Sequence, residues 1–123
     1  MSNPRIDKDG TKRWFNDKNQ LHRIDGPAIE YADGAKTWYV NGERHRLDGP
    51  ALEWSNGYKE WHVNGLYHRL DGPAIEWSDG DKNWYANGKL ISGPLDLLKH
   101  GAKLEDLAEY LTPREIAKIK LDK

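Results

Sequence analysis

The sequence predicts a mainly β fold: a single-layer antiparallel array of β-hairpin repeats with a small C-terminal α-helical cap. The heptapeptide His-Arg-Ile/Leu-Asp-Gly-Pro-Ala begins at His22, His45 and His68, a period of 23 residues. A fixed period of this length is typical of stacked repeats. Asp-Gly and Asn-Gly pairs, which favour tight hairpin turns, separate short aromatic and β-branched runs. From Pro94 the apolar residues follow a helical period instead.

We therefore expect a repeat array over residues 1–93, with a partial first unit, and a helical cap over residues 94–123. Each full unit contains short strands joined by an Asp-Gly or Asn-Gly turn and then by an Asn-Gly turn. The Gly-Pro pair precedes each new strand, because proline lacks the N–H that a strand interior requires. About seven or eight short strands should form one continuous meander.

Alternation of side chains along each strand assigns the two faces of this sheet. If Tyr31 pairs with Lys36 across the turn, Ile29 and Val40 share one face, which we interpret as the core. The tryptophans expected to form this structural core are Trp14, Trp38, Trp54, Trp61, Trp77 and Trp84.

The opposite face should be exposed, because a single-layer sheet cannot bury both sides. The units differ from one another on that face, and exposed aromatic residues are typical of binding surfaces. An alternative is that these rings only pair with their neighbours across the strands. The predicted partner-binding residues are Thr37, Tyr39, Glu60, His62, Asn83 and Tyr85.

The C-terminal region carries helix signals. Thr112 is a predicted N-cap, Pro113 follows at the first helical position, and Glu115 completes a capping box. Repeat arrays need a cap over the last core face, which is the role we expect for these helices. A docking helix for a partner or a second copy is the alternative. The apolar stripe before the capping box comprises Leu104, Leu107, Ala108 and Leu111.

The 123-residue chain has 19 basic and 20 acidic residues, and this balance argues against nucleic acid as a partner. It has no cysteine, a polar N-terminus and no apolar run long enough to span a membrane. We therefore expect a cytoplasmic protein without a membrane span, located in the host cytoplasm if its source is viral.

Candidate catalytic and metal-binding residues have structural explanations. His-Arg-x-Asp resembles the catalytic loop of kinases, but the other kinase motifs are missing. Equivalent side chains such as His45 and His68, or Glu30 and Glu53, should lie about 10 Å apart, because two strands separate them. That distance is too long for one zinc ion and unfavourable for a catalytic carboxylate pair. We expect no enzyme activity, no catalytic or metal-binding residue and no cofactor.

The pattern from Trp38-Tyr39-Val40-Asn41-Gly42 through Gly49-Pro50-Ala51 to Asn56-Gly57 resembles MORN repeats. The divergent variants found in bacterial and in phage or giant-virus proteins are most similar. The resemblance covers roughly residues 9 to 94 and implies an elongated, twisted array of β-hairpins. Members of that family mostly bind protein partners or self-associate, and some associate with lipid.

These observations together predict a non-enzymatic protein-binding module. We expect an accessory protein of a phage or bacterium that binds and inhibits a host factor or toxin. A self-assembling structural module, active as a homo-oligomer, is one alternative. A carbohydrate-binding module is another, because rows of Trp and Tyr also stack on sugar rings.

Overall fold

The computed structural model describes residues 3–121 and is mainly β, with helices confined to the C-terminal end. Nearly all its strands are only two residues long, because turns and bends interrupt the chain at short intervals. The strands are β1 Arg5–Ile6, β2 Lys12–Arg13, β3 Ile29–Glu30, β4 Lys36–Thr37, β5 Tyr39–Val40, β6 Glu43–Arg44, β7 Leu52–Glu53, β8 Lys59–Glu60, β9 His62–Val63, β10 Leu66–Tyr67, β11 Ile75–Glu76, β12 Lys82–Ala86 and β13 Lys89–Ile91. The helices are α1 Pro94–Leu97, α2 Leu104–Leu107 and α3 Pro113–Leu121.

The predicted antiparallel meander is confirmed. Nine strands form one sheet in the order β1-β2-β3-β4-β7-β8-β11-β12-β13, and every pairing is antiparallel. The hairpins β5–β6 and β9–β10 stand beside this sheet. Thirteen strands are present within residues 3–121 instead of the seven or eight expected, in part because interruptions at Trp38 and at Trp61 each divide one predicted strand into two.

The Asp-Gly turns shift the predicted register by one residue. Tyr31 pairs with Ala35 rather than with Lys36: its N–H donates to the Ala35 carbonyl at 2.9 Å. The Gly34 N–H donates to the Tyr31 carbonyl, and Gly34 alone in the loop has a positive φ, 94°. This three-residue loop, with a glycine in the left-handed region, is one residue shorter than expected. A one-residue shift moves every side chain of the second strand to the other face.

The predicted exposed row is therefore wrong at three positions. Thr37 lies directly opposite Ile29 and shares its buried face, and Glu60 lies opposite Leu52 in the same way. His62, in the adjacent hairpin, is buried as well. The remaining members of the predicted surface, Tyr39, Asn83 and Tyr85, are half-buried.

The six tryptophans have different environments. Trp84 is buried, as expected of a core residue, and Trp14, Trp38 and Trp61 are half-buried. The expectation of core positions is wrong for Trp54 and Trp77, whose residues are 39% and 46% exposed. Both lie where the strand enters the Asp-Gly or Asn-Gly turn: the Trp54 N–H donates across the turn to the Tyr58 carbonyl, and the Trp77 N–H donates to the Asp81 carbonyl.

The Asn-Gly turns join each unit to the one before it. Asn64 and Gly65 have positive φ values of 50° and 81°, so the turn needs the two residue types that tolerate this conformation. The Gly65 N–H donates to the Arg44 carbonyl at 2.9 Å, and the Asn64 N–H donates to His45 Nδ1 at 3.0 Å. The histidine of each repeated heptapeptide thus holds the next unit in place.

The C-terminal helices pack on the last repeat. Leu97, Leu107 and Leu111 form a buried cluster with Trp84 and Ala86 of β12. The predicted capping box is present at α3: the Thr112 N–H donates to Glu115 Oε1, and the Glu115 N–H donates to Thr112 Oγ1. None of the helices within residues 3–121 has the length and apolar character needed to cross a bilayer.

Candidate functional site

The arginine of each heptapeptide is clamped between a tryptophan ring and a glycine. Arg46 Cζ lies 3.8 Å from the centroid of the Trp38 ring, a cation–π contact, and a Cβ on Gly49 would lie 2.9 Å from the same atom. Arg46 also donates to Asp48, the Pro50 carbonyl and Glu53. Arg23 and Arg69 make the equivalent contacts with Trp14 and Trp61. The heptapeptide is therefore a structural unit in which Nε and Nη1 of the arginine bond to groups of the same repeat.

The close contact between Gly49 and the Arg46 guanidinium leads to a testable prediction. Gly49→Ala should lower the free energy of unfolding by about 1–3 kcal/mol, because the new methyl group displaces the Arg46 guanidinium from Trp38. Gly93→Ala is the matched control: its φ of 166° is extended, and nothing lies within 4 Å of the added Cβ. Urea unfolding measures both variants, and equal losses would contradict the clamp.

A buried polar cluster surrounds Glu60. Its Oε1 accepts from His62 Nε2 at 2.8 Å and from Arg44 Nη1 at 3.3 Å, and its Oε2 accepts from the Tyr58 hydroxyl. Arg44 Nε also donates to the Tyr39 hydroxyl at 3.2 Å. We call Arg44, Tyr58, Glu60 and His62 the Glu60 cluster. With both oxygens engaged by protein groups, this carboxylate has a structural role.

Burial disfavours the ionised form of Glu60, but the hydrogen bonds from His62 and Tyr58 and the charge of Arg44 outweigh it. The pKa of the Glu60 carboxyl therefore lies below its usual value. Burial, together with the hydrogen bond to Glu60, raises the pKa of the Tyr58 hydroxyl. The cluster consequently contains an ionised carboxylate and a protonated phenol near neutral pH.

An exposed line of aromatic rings lies next to this cluster. The Tyr31 and Trp54 ring centroids are 5.7 Å apart, and those of Tyr58 and Trp77 are 4.9 Å apart. Trp54, Tyr58 and Trp77 also line a shallow depression of about 400 Å³. We call Tyr31, Trp54, Tyr58 and Trp77 the aromatic row. It lies at the Asp-Gly and Asn-Gly turn edge of the main sheet.

Side-chain hydrogen bonds to the sheet hold two rings of the aromatic row in position, those of Tyr58 and Trp77. The Tyr58 hydroxyl bonds to the buried Glu60, and Trp77 Nε1 donates to Asn83 Oδ1 at 2.6 Å. Trp54 and Tyr58 face each other across their turn, since the Trp54 N–H donates to the Tyr58 carbonyl. Rings that are already fixed lose little side-chain entropy when a partner binds.

Of the six residues predicted to bind a partner, three are buried and three are half-buried, and their side chains contact groups of the protein itself. Glu60 and His62 belong to the Glu60 cluster, Tyr39 contacts Arg44, and Tyr85 packs on Tyr67 with ring centroids 4.9 Å apart. Thr37 is buried, and Asn83 supports Trp77. Sequence reasoning missed the aromatic row, although the equivalence of Tyr31, Trp54 and Trp77 at 23-residue intervals was a visible signal.

Within the described part of the chain, residues 3–121, no three His, Asp or Glu side chains are grouped so that they could hold a metal ion. The repeated histidines instead accept hydrogen bonds from the Asn-Gly turns through Nδ1, at distances of 2.9–3.0 Å. Comparisons with protein-family models, curated proteins and solved structures give no significant match.

Proposed function

We propose that this chain is a non-enzymatic protein-binding module of the MORN-like type, and that the aromatic row is its interface. The observation that supports this most directly is the exposure of Trp54 and Trp77, each of which contacts a tyrosine ring. Trp and Tyr are the residues that most often dominate the energy of protein interfaces. An exposed row of them is costly in water unless a partner covers it.

A protein partner fits the row better than a carbohydrate does. Stacking on a sugar requires a flat ring face that is free. In this row each tryptophan has a tyrosine tilted against it, with 42° between the planes of Tyr31 and Trp54 and 56° between those of Tyr58 and Trp77. Each tryptophan is thus in contact with a tyrosine, and the rings project edges as well as faces. The spacing of the equivalent residues Tyr31, Trp54 and Trp77 gives a row about 20 Å long, the scale of a small protein interface.

The proposed role is binding that blocks the partner. A rigid surface, together with an internally satisfied Glu60 carboxylate, suits an inhibitor rather than a catalyst. We place this role in the cytoplasm, in an accessory protein of a phage or bacterium that neutralises a host factor or toxin. Self-assembly through the same row is the competing use of the surface.

The double variant Trp54→Ser/Trp77→Ser tests the proposal. We expect at least a tenfold loss of a protein that the wild-type chain captures from bacterial lysate, because two interface anchors are removed. The measurement is quantitative mass spectrometry, followed by calorimetric titration with the purified partner. Ile6→Ser/Leu90→Ser is the matched control, since it removes two exposed apolar side chains outside the row.

Three results would contradict the proposed function. Equal capture by the wild type and by a folded double variant places binding elsewhere. Loss of glycan-array binding in the double variant identifies a carbohydrate ligand. A wild-type oligomer that the double variant converts to monomer, as seen by sedimentation velocity, identifies self-assembly.

A further inference from the structure

The aliphatic residue of the repeated heptapeptide has two different environments. Ile24 and Leu47 are 78% and 80% exposed, which is unusual for such side chains at equivalent positions. Leu70, the third equivalent, is half-buried and packs against the cluster of Trp84, Leu97 and neighbouring residues. One copy of this surface is therefore covered by the chain's own helices, and two copies are open.

The burial of the third heptapeptide extends beyond Leu70. Gly72 and Pro73 are buried, whereas Gly49 and Pro50, their equivalents in the second copy, are half-buried. The helical segment thus shows which chemistry this surface accepts: aliphatic side chains presented by short helices.

The covered and open copies line two adjacent depressions that share Arg46, Leu47 and Asp48. The first, of about 600 Å³, is lined by Leu47 and Leu70 and, from the helical segment, by Ala102 and Lys103. The second, of about 680 Å³, lies between Leu47 and Ile24, with Trp38 among the residues that line it. We call the two depressions together the groove; the helical segment lines the first, whereas residues of the repeats line the second.

The solvent-facing charge of this groove is negative. Arg23 and Arg46 are mostly buried against their tryptophans, and each is shared between an aspartate and a glutamate. The side chains of Asp25 and Asp48 are exposed. In the covered part, Lys103 of the helical segment lines the groove together with Asp48, so a basic residue already accompanies the apolar contacts there.

We propose that the open groove between Ile24 and Leu47 binds an amphipathic helix of a partner protein, with aliphatic side chains on one face and lysine or arginine beside them. Two strands separate the equivalent positions, so Ile24 and Leu47 lie about 10 Å apart. Residues i and i+7 of a helix are also about 10 Å apart along its axis. One helix lying along the array can therefore contact both side chains.

This groove is separate from the aromatic row. It precedes strands β3 and β7, whereas Tyr31 and Trp54 of the row follow them, at the opposite end of the same strands. The proposal therefore goes beyond the proposed function and does not depend on it.

The test uses the full chain and a fluorescently labelled model helix of leucine and lysine, with leucines at i, i+3, i+4 and i+7. A peptide of the same composition with the leucines distributed around the helix is the control ligand. We expect anisotropy titration to show at least tenfold tighter binding of the patterned peptide. Ile24→Ser/Leu47→Ser should weaken that binding at least tenfold, and Asp25→Asn/Asp48→Asn should weaken it and reduce its salt dependence.

Two control variants distinguish binding in the groove from non-specific hydrophobic binding elsewhere on the surface. Ile6→Ser/Leu90→Ser and Trp54→Ser/Trp77→Ser should leave the affinity for the patterned peptide within twofold of wild type. The proposal is overturned if the two peptides bind equally well, if neither binds, or if the folded Ile24→Ser/Leu47→Ser variant binds as tightly as wild type.

Discussion

Trp84→Ala is expected to lower the free energy of unfolding by about 3–5 kcal/mol, the largest effect of any substitution considered for this chain. Trp84 is buried, and the Tyr110 ring meets it edge-on, with 5.1 Å between centroids and 87° between planes. Trp14, Trp38 and Trp61 carry an arginine at the equivalent place, so Tyr110 of the helical segment replaces that arginine in the last unit. Removing Trp84 therefore removes the contact surface of the helices as well as its own buried area.

Urea unfolding followed by far-ultraviolet circular dichroism measures this loss, with Trp77→Ala as the matched control. Trp77 belongs to the same repeat but is 46% exposed, so its removal should cost only about 1 kcal/mol. Limited proteolysis should also cut the Trp84→Ala variant faster between residues 94 and 112. Equal losses of stability in the two variants would show that the helices do not depend on Trp84.

Glu60→Ala is expected to cost about 3 kcal/mol at neutral pH. The substitution leaves Arg44, His62 and Tyr58 without their shared acceptor, and unpaired buried charges and donors are among the more expensive defects in proteins. Removing one partner of a buried ion pair usually costs about 3–5 kcal/mol. We expect the lower end of that range, because Arg44 is partly exposed and solvent screens its charge.

The lowered pKa of Glu60 predicts that the stability lost in Glu60→Ala depends on pH. Because the folded-state pKa of Glu60 lies below the ordinary value of 4.5, its contribution is complete above that value. It is lost as the pH falls through the lower pKa of the folded state. The stability difference between wild type and Glu60→Ala should therefore be largest near neutral pH and shrink as the pH falls below 4.5.

Unfolding in urea at a series of pH values tests this dependence. Glu43→Gln is the control, because Glu43 is exposed and should change the free energy of unfolding by less than about 0.5 kcal/mol at any pH. A difference between wild type and Glu60→Ala that stays constant from neutral to acid pH would mean that the ionised carboxylate contributes nothing.

The candidate site was only partly predictable. The 23-residue period places Tyr31, Trp54 and Trp77 at equivalent positions, so the existence of an aromatic line could be read from the sequence. Its exposure could not, because alternation places Tyr31, Trp54 and Trp77 on the same face as the buried Ile29, Leu52 and Ile75. Trp54 and Trp77 are exposed because they lie at the end of the strand, where the chain enters its turn.

Local signals determined the architecture of this protein. The turn pairs, the proline before each strand, the helical stripe and the capping box at Thr112 each act through nearby backbone geometry, and the sequence alone was enough to predict them. The tertiary structure decided which residues are covered. Thr37 and Glu60 became buried through the strand register, and Leu70 became covered while Leu47 stayed open through the packing of the helices on the last repeat. Burial depends on contacts between segments far apart in the chain. The three heptapeptides are nearly identical, so their own sequences do not indicate which one the helices cover.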